Sequence, residues 1–226
     1  MKILKSEFKN TEVGLFLETN SVQILFGNKS STLENIQKHF PLLHLQRIKQ
    51  THSDICVQAS DQIVEADGHF TASKNNALII STADCTPVLI RCLQTNRIAS
   101  VHAGWKGVAN QIVLKTLRQL ILTGSSQKKF EFWIGPHILQ SSFEVDTDVF
   151  QVLAASAYNL SEKDFSYEKN SKFFVDLKKI IFSQIEEVIG SDFTMYLGEY
   201  DTKTNDNFWS FRRDKENAGR NLSFIS

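Results

Sequence analysis

The chain has 226 residues, with 25 Lys plus Arg balanced by 25 Asp plus Glu, so it can bury a core of its own and carries no basic arm or acidic tail for a nucleic acid or a membrane surface. Charge interrupts the opening Met1–Lys9 stretch and no apolar run reaches bilayer length, so neither a signal-peptide core nor a spanning helix is expected. Cys56, Cys85 and Cys92 are an odd set that argues against a disulfide framework and for a reducing, cytoplasmic location.

A single domain over residues 1–226 is therefore expected, as a monomer or small homo-oligomer whose partners are small molecules. Val13–Leu17 and Val22–Phe26 read as a β-hairpin around Glu18-Thr19-Asn20-Ser21. Ser31 and Glu34 have the form of a capping box, and Leu33, Ile36, Gln37 and Phe40 lie at helical spacing up to Pro41. Leu45–Lys49 leads through Gln50-Thr51-His52 into Ile55-Cys56-Val57, which places His52 at a break between two strand-like runs. Ala66-Asp67-Gly68-His69-Phe70-Thr71 reads as a tight polar turn in which Gly68 permits a positive φ.

Ala77–Thr82 and Pro87–Leu93 are apolar runs of the kind found in strands covered on both faces. Asp84-Cys85-Thr86-Pro87 between them is expected to be irregular, since Pro cannot donate to a central ladder. Arg97–His102 returns as a third strand, so Cys85 and His102, 17 positions apart, stand at neighbouring strand ends. Ala103-Gly104-Trp105-Lys106-Gly107 then opens a helix with Val108, Ile112, Val113, Leu117, Leu120 and Ile121 as its apolar face. Its N-terminus, beside Lys106, is either an anion site or a plain strand-to-helix connection with glycines for close packing.

Phe130–Ile134 reads as a strand, Val149, Val152, Leu153 and Tyr158 mark a helix, Lys169–Lys172 is polar loop, and Asp176 starts a helix that ends at Gly190. After a strand at Phe193–Leu197, Arg212, Arg213 and Arg220 lie near aromatics, as a phosphate cradle or a solvated basic tail. His52, Cys85 and His102 together offer one thiolate and two imidazoles, a set that suits zinc with a position left for water or substrate. A Cys85 nucleophile with His102 as general base, or three ordinary core residues, are the alternatives.

Thr82-Ala83-Asp84-Cys85-x-Pro87, Val101–Gly107, Gln50-x-His52, Ala66-Asp67-Gly68-x-x-Thr71, Ile134-Gly135-Pro136 with Phe143-Glu144-Val145, and Phe208-x-Ser210-x-Arg212-Arg213 with Gly219-Arg220 together resemble the bacterial laccase-domain family. Its members are labelled multicopper polyphenol oxidase, purine nucleoside phosphorylase or peptidoglycan editing factor. The resemblance implies an α/β fold of the α+β type, with mixed sheets packed as a sandwich and flanked by helices, similar to toxin-type cysteine deamidases. It also implies zinc, or copper, on His52, Cys85 and His102. The implied activity is phosphorolysis of adenosine, guanosine, inosine and methylthioadenosine to base and ribose 1-phosphate, with adenosine deamination as a second reaction.

For that chemistry Lys106 and one of Arg212, Arg213 or Arg220 would hold phosphate, and Asp84 or Asp67 would carry a proton or orient a histidine. Two features depart from the family pattern. Lys106 stands where Arg is usual, and His137, Ser141, Ser142 and the Glu199-Tyr200-Asp201 stretch stand where further cysteines are common. With six histidines in all, a multicopper cluster is short of ligands. A peptidoglycan-precursor editing hydrolase, a Cys85-dependent amidase, a copper polyphenol oxidase and a non-catalytic metal-binding protein are the competing readings.

Overall fold

The computed structural model describes residues 2–5, 7–19, 21–124, 129–198 and 200–226. Asn20 of the expected first turn, Glu199 of the Glu199–Asp201 stretch, and Met1 and Ser6 of the opening stretch lie outside the described residues.

In chain order the strands are β1 Lys2–Lys5, β2 Lys9–Thr11, β3 Gly14–Glu18, β4 Gln23–Gly27, β5 His44–Arg47, β6 Cys56–Gln58, β7 Gly68–Thr71, β8 Asn76–Thr82, β9 Thr86–Cys92, β10 Ile98–Ala103, β11 Phe130–Ile134, β12 Glu144–Val145, β13 Ser166–Lys169, β14 Lys172–Val175, β15 Phe193–Leu197 and β16 Asn221–Ile225. The helices are α1 Leu33–His39, α2 Trp105–Ala109, α3 Ile112–Leu122, α4 Thr147–Ala154, α5 Glu162–Phe165, α6 Leu177–Ile189 and α7 Phe211–Asp214. A mixed seven-stranded sheet runs β1-β15-β11-β9-β10-β7-β6, and a six-stranded sheet runs β2-β3-β4-β16-β8-β5.

The two sheets face each other across a core that includes Ile24, Phe26, Leu78, Ile80, Leu89 and Trp133. On its other face the seven-stranded sheet is covered by α2, α3 and α6 through Val108, Val113, Leu117, Ile181 and Ile185. The outer face of the six-stranded sheet carries α1 through Ile36. This is the expected mixed α/β sandwich flanked by helices. The central strand β9 is buried except for Arg91, which explains its unbroken apolar run; each large side chain fully buried there contributes about 1.5–3 kcal/mol.

Several local expectations change in the fold. Thr32, not Ser31, caps α1, accepting from the Asn35 backbone N–H. The Ser31 hydroxyl instead donates to the Asn28 carbonyl and accepts from the Leu222 N–H, a partner 191 residues away. Residues 68–71 are the fully buried strand β7 and not a solvated turn, and Gly68 is not among the positive-φ glycines. The irregular stretch ends at Cys85, because Thr86 and Pro87 already pair with Ala103 and His102. Pro87 still contributes its carbonyl, which accepts from Gly135 N–H.

The helix after Gly104 is two helices, broken at Gln111, which sits in the left-handed region at φ 63°. Helix α4 ends at Ala154, short of Tyr158. Lys169–Lys172 is the tip of the β13–β14 hairpin. The residues after Arg220 are no solvated tail: β16 lies between β4 and β8 in the six-stranded sheet. Asp176 caps α6 and Gly190 ends it at φ 69°, as expected.

Candidate metal centre

Antiparallel pairing of β9 with β10 sets Thr86 opposite Ala103 and Pro87 opposite His102. Cys85, the residue before β9, therefore stands beside the His102 end of β10. Val101 and Ala103 point into the helix-covered core, so the alternation of a strand sends His102 to the opposite face.

His52 arrives from the loop between β5 and β6, and Asp67 fixes that loop. The Asp67 carboxylate accepts the backbone N–H groups of Thr51 (3.1 Å), His52 (3.0 Å) and Ser53 (2.6 Å), and the Ser53 hydroxyl at 2.7 Å. It also accepts His102 Nδ1 at 2.7 Å. Burial raises the Asp67 pKa, but the bonds from His102, Ser53 and Thr51 outweigh it and hold the carboxyl well below the usual carboxylate range. An ionised carboxylate can only accept, so Nδ1 of His102 carries the proton and Nε2 is left facing the trio. Asp67 is fully buried, with its carboxylate taken up by His102 Nδ1 and the His52 loop.

The donor atoms of His52, Cys85 and His102 all lie within 4.8 Å of one another. Cys85 Sγ is 4.0 Å from His52 Nε2, and the two imidazole rings meet edge-on with centroids 4.9 Å apart. Ligands sharing one zinc through bonds of about 2.0–2.3 Å stand about 3.3–3.8 Å apart at tetrahedral angles, so the three side chains would draw in slightly around an ion. Burial pushes the Cys85 thiol up, yet the charge on His102 and hydrogen bonds from His102 and His52 bring it down to about 6. Burial pushes His102 down, and the Cys85 charge with the Asp67 bond raises it to about 9. The trio thus presents a thiolate at neutral pH, the form a metal or an electrophile needs.

Two non-glycine residues of the site, His52 at φ 59° and Asp84 at φ 89°, lie in the left-handed region, a strained conformation that surrounding bonds must hold. Gly104 is demanded by close approach: a Cβ there would lie 2.9 Å from Cys85 Sγ and 3.1 Å from His52 Cδ2. Of the two readings of this turn, packing is the one with geometry behind it. Helix α2 has only five residues, too short to present much of a dipole.

The trio opens into a cavity of about 600 Å³ also lined by Trp105, Phe143, Phe211, Lys106, Arg212 and Arg220. Lys106 Nζ lies 5.6 Å from the centre of the Trp105 ring, and the Arg212 guanidinium 5.7 Å from that of Phe143. Two N–H groups of Arg212 are used by the Glu144 carbonyl. Asp84 lines the cavity, but its oxygens accept the Thr202 hydroxyl and the Arg212 backbone N–H, each at 2.6 Å. It ties the Cys85 loop to the C-terminal segment.

Arg213 does not join the site. Its guanidinium donates to the carbonyls of Thr202, Lys203 and Phe208 and to the Asp214 carboxylate, so it braces the turn that carries its neighbour. Ser53 and Thr202, which hold Asp67 and Asp84, escaped the sequence reading; the polar run Thr51-His52-Ser53 was the one available signal. Lys215, also on the cavity wall, had none.

Residues 22–226 match a family described as multi-copper polyphenol oxidoreductase laccase. The chain is similar to a protein named purine nucleoside phosphorylase from Clostridium acetobutylicum, with 29% identity over 97% of this chain and 94% of that relative. A protein of the same name from Rickettsia prowazekii is 30% identical over 82% of this chain and 77% of its own. The fold is similar to that of the Bacillus licheniformis hypothetical protein YfiH (TM-score 0.87, 22% identity, 97% and 98% of the two chains covered). It is also similar to that of YlmD from Geobacillus stearothermophilus (TM-score 0.86, 20% identity, 97% and 98% covered).

Proposed function

The chain belongs to this laccase-type family, and from that premise we propose that it is a zinc-dependent purine nucleoside phosphorylase, acting on adenosine, guanosine, inosine and methylthioadenosine, with adenosine deamination as a second reaction. The observation that carries the reading is a His-Cys-His trio opening into a cavity with aromatic faces and cations. The names of the relatives support the reaction class.

His52, Cys85 and His102 would hold the metal, and when bound it supplies Lewis acidity beside the substrate and acidifies a water for deamination. In phosphorolysis a phosphate oxygen bonds to C1′ as the bond from C1′ to the purine nitrogen breaks, its electron pair leaving with the base, which takes up a proton. Lys106 and Arg212 hold the phosphate and offset its charge as it approaches the sugar. Phe143, Phe211 and Trp105 offer faces against which a purine stacks. Asp67 keeps His102 in one tautomer, and Asp84 keeps the Arg212 segment against the Cys85 loop.

Among the described residues the trio is the one group of three or more metal-type side chains, and it fits a single metal ion. A second reading rests on a separate observation. Asp67, His102 and Cys85 form an orienter, imidazolium and thiolate sequence that would serve a metal-free amidase.

Metal analysis of the native protein with product identification from nucleosides, with and without phosphate, separates the two. Release of adenine and ribose 1-phosphate from adenosine, dependent on both phosphate and bound zinc, is expected. Folded, zinc-loaded protein that releases neither adenine nor inosine would sink the proposal. Amide hydrolysis that survives chelation and dies on Cys85 alkylation would establish the second reading.

A further inference from the structure

The cavity carries more positive charge than a neutral nucleoside and one phosphate require. Lys106, Arg212, Lys215 and Arg220 all line it, and its one carboxylate, Asp84, is already engaged by Thr202 and the Arg212 N–H. Elsewhere in this electrically balanced chain, cations sit beside carboxylates: Lys49 with Glu65, Arg91 with Glu131, Lys172 with Asp146 and Arg213 with Asp214. Of the four cations lining the cavity, Arg212 has a carboxylate nearby, Glu144 at 3.8 Å. Lys106, Lys215 and Arg220 form no ion pair among the described residues.

A phosphate group carries about two negative charges at neutral pH, and on the proposed reading it is met by Lys106 and by Arg212, whose charge is shared with Glu144. Lys215 and Arg220 are then left over. Lys215 lies one helical turn beyond Arg212, in an unfavourable backbone conformation (φ 53°, ψ −132°) where α7 gives way to a 3₁₀ turn. Arg220 closes the same segment, with one guanidinium nitrogen on the carbonyls of Ala218 and Gly219. Unpaired cations that converge on a concave wall, one of them on a strained backbone, mark a binding site for a second anionic group.

We propose that Lys215 and Arg220 form a subsite for the 5′-phosphate chain of a purine nucleotide, so that the cavity takes nucleoside 5′-phosphates and not only nucleosides. The inference rests on the purine nucleoside reading of the same cavity. It concerns binding and adds no chemical step.

Calorimetric titration of the zinc-loaded protein with adenosine, adenosine 5′-monophosphate, adenosine 5′-diphosphate and pyrophosphate tests it. Binding is expected to tighten roughly tenfold with the first phosphate, through charge-assisted hydrogen bonds, and to weaken as salt is raised. In a Lys215→Ala/Arg220→Ala double variant the nucleotide advantage disappears while adenosine binds as before. Nucleotides that bind no tighter than adenosine, or an advantage that survives in the double variant, overturn the subsite and leave the nucleoside reading standing. Pyrophosphate binding as tightly as the diphosphate also overturns it, since the subsite would then serve a free anion. If neither adenosine nor its nucleotides bind, both readings fall together.

Discussion

The two banks of the cavity are built from different kinds of structure. On one, Cys85 and His102 stand at paired strand ends in the middle of the seven-stranded sheet, and Asp67 gathers the His52 loop with three backbone N–H groups. On the other, Arg212, Lys215 and Arg220 are carried by a four-residue helix, a 3₁₀ turn and the approach to β16. The first bank is held by buried ionic hydrogen bonds and sheet pairing, which keep its donor atoms within 4.8 Å of one another. The second is held by Asp84 and by Arg213 on backbone carbonyls, with the Arg212 and Arg220 tips on carbonyls of Glu144, Ala218 and Gly219 and the Lys215 tip without a hydrogen bond or ion pair among the described residues. On the proposed reading, chemistry belongs to the first, rigid bank and substrate selection to the second, adjustable one.

The largest effect comes from striking the rigid bank at its centre. Cys85→Ser should abolish stoichiometric zinc, read by metal analysis, and reduce phosphorolysis by far more than the roughly 100-fold that loss of an outer hydrogen-bond partner costs. In metal-free wild-type protein Cys85 should alkylate with a half-maximal rate near pH 6, since its thiolate, stabilised by His102 and His52, persists above about 6. Cys56, whose thiol burial pushes up to about 11, should stay silent under the same conditions.

Asp67→Asn should lower zinc affinity about 10- to 100-fold. Because it breaks a buried ionic pair, it should also cost metal-free protein on the order of 3–5 kcal/mol in chemical denaturation. The sign of the pH dependence follows from the depressed Asp67 pKa. Its contribution is present above the ordinary carboxylate range and is lost only as pH falls through the lower folded value.

Smaller effects are expected on the adjustable bank. Arg212→Ala should raise the KM for phosphate roughly tenfold and leave zinc content unchanged; an unaltered KM would remove Arg212 from phosphate binding. Thr202→Val, which leaves Asp84 Oδ1 without its donor, should cost about 1–3 kcal/mol of stability and hold kcat close to the wild type. If Thr202→Val instead strips the metal, the contrast between the two banks is wrong.

The core strands, helix α6 with its Asp176 cap and Gly190 stop, and the Cys85–His102 pairing were legible because each depends on near neighbours in the chain. The β9–β10 hairpin puts 17 positions between Cys85 and His102, and apolar runs on either side of a short turn leave little choice of register. The identity of the trio as thiolate plus imidazoles followed from residue chemistry. What the turn between Ala103 and Gly107 does was open at that level, because glycine serves close packing and anion binding alike.

Only the tertiary structure decided the rest, and the reason is distance along the chain. Asp67 reads as a loop residue until His102, 35 positions on, bonds to it, and Asp84 reads as a free acid until Thr202, 118 positions on, engages it. Arg212 and Arg213 are adjacent and chemically identical, yet one faces the cavity and the other is consumed by carbonyls of its own turn. Local sequence sets which groups exist and roughly which strand or helix carries them. Whether a buried carboxylate or guanidinium is spent or available depends on partners that only the packed sheets bring within hydrogen-bonding distance.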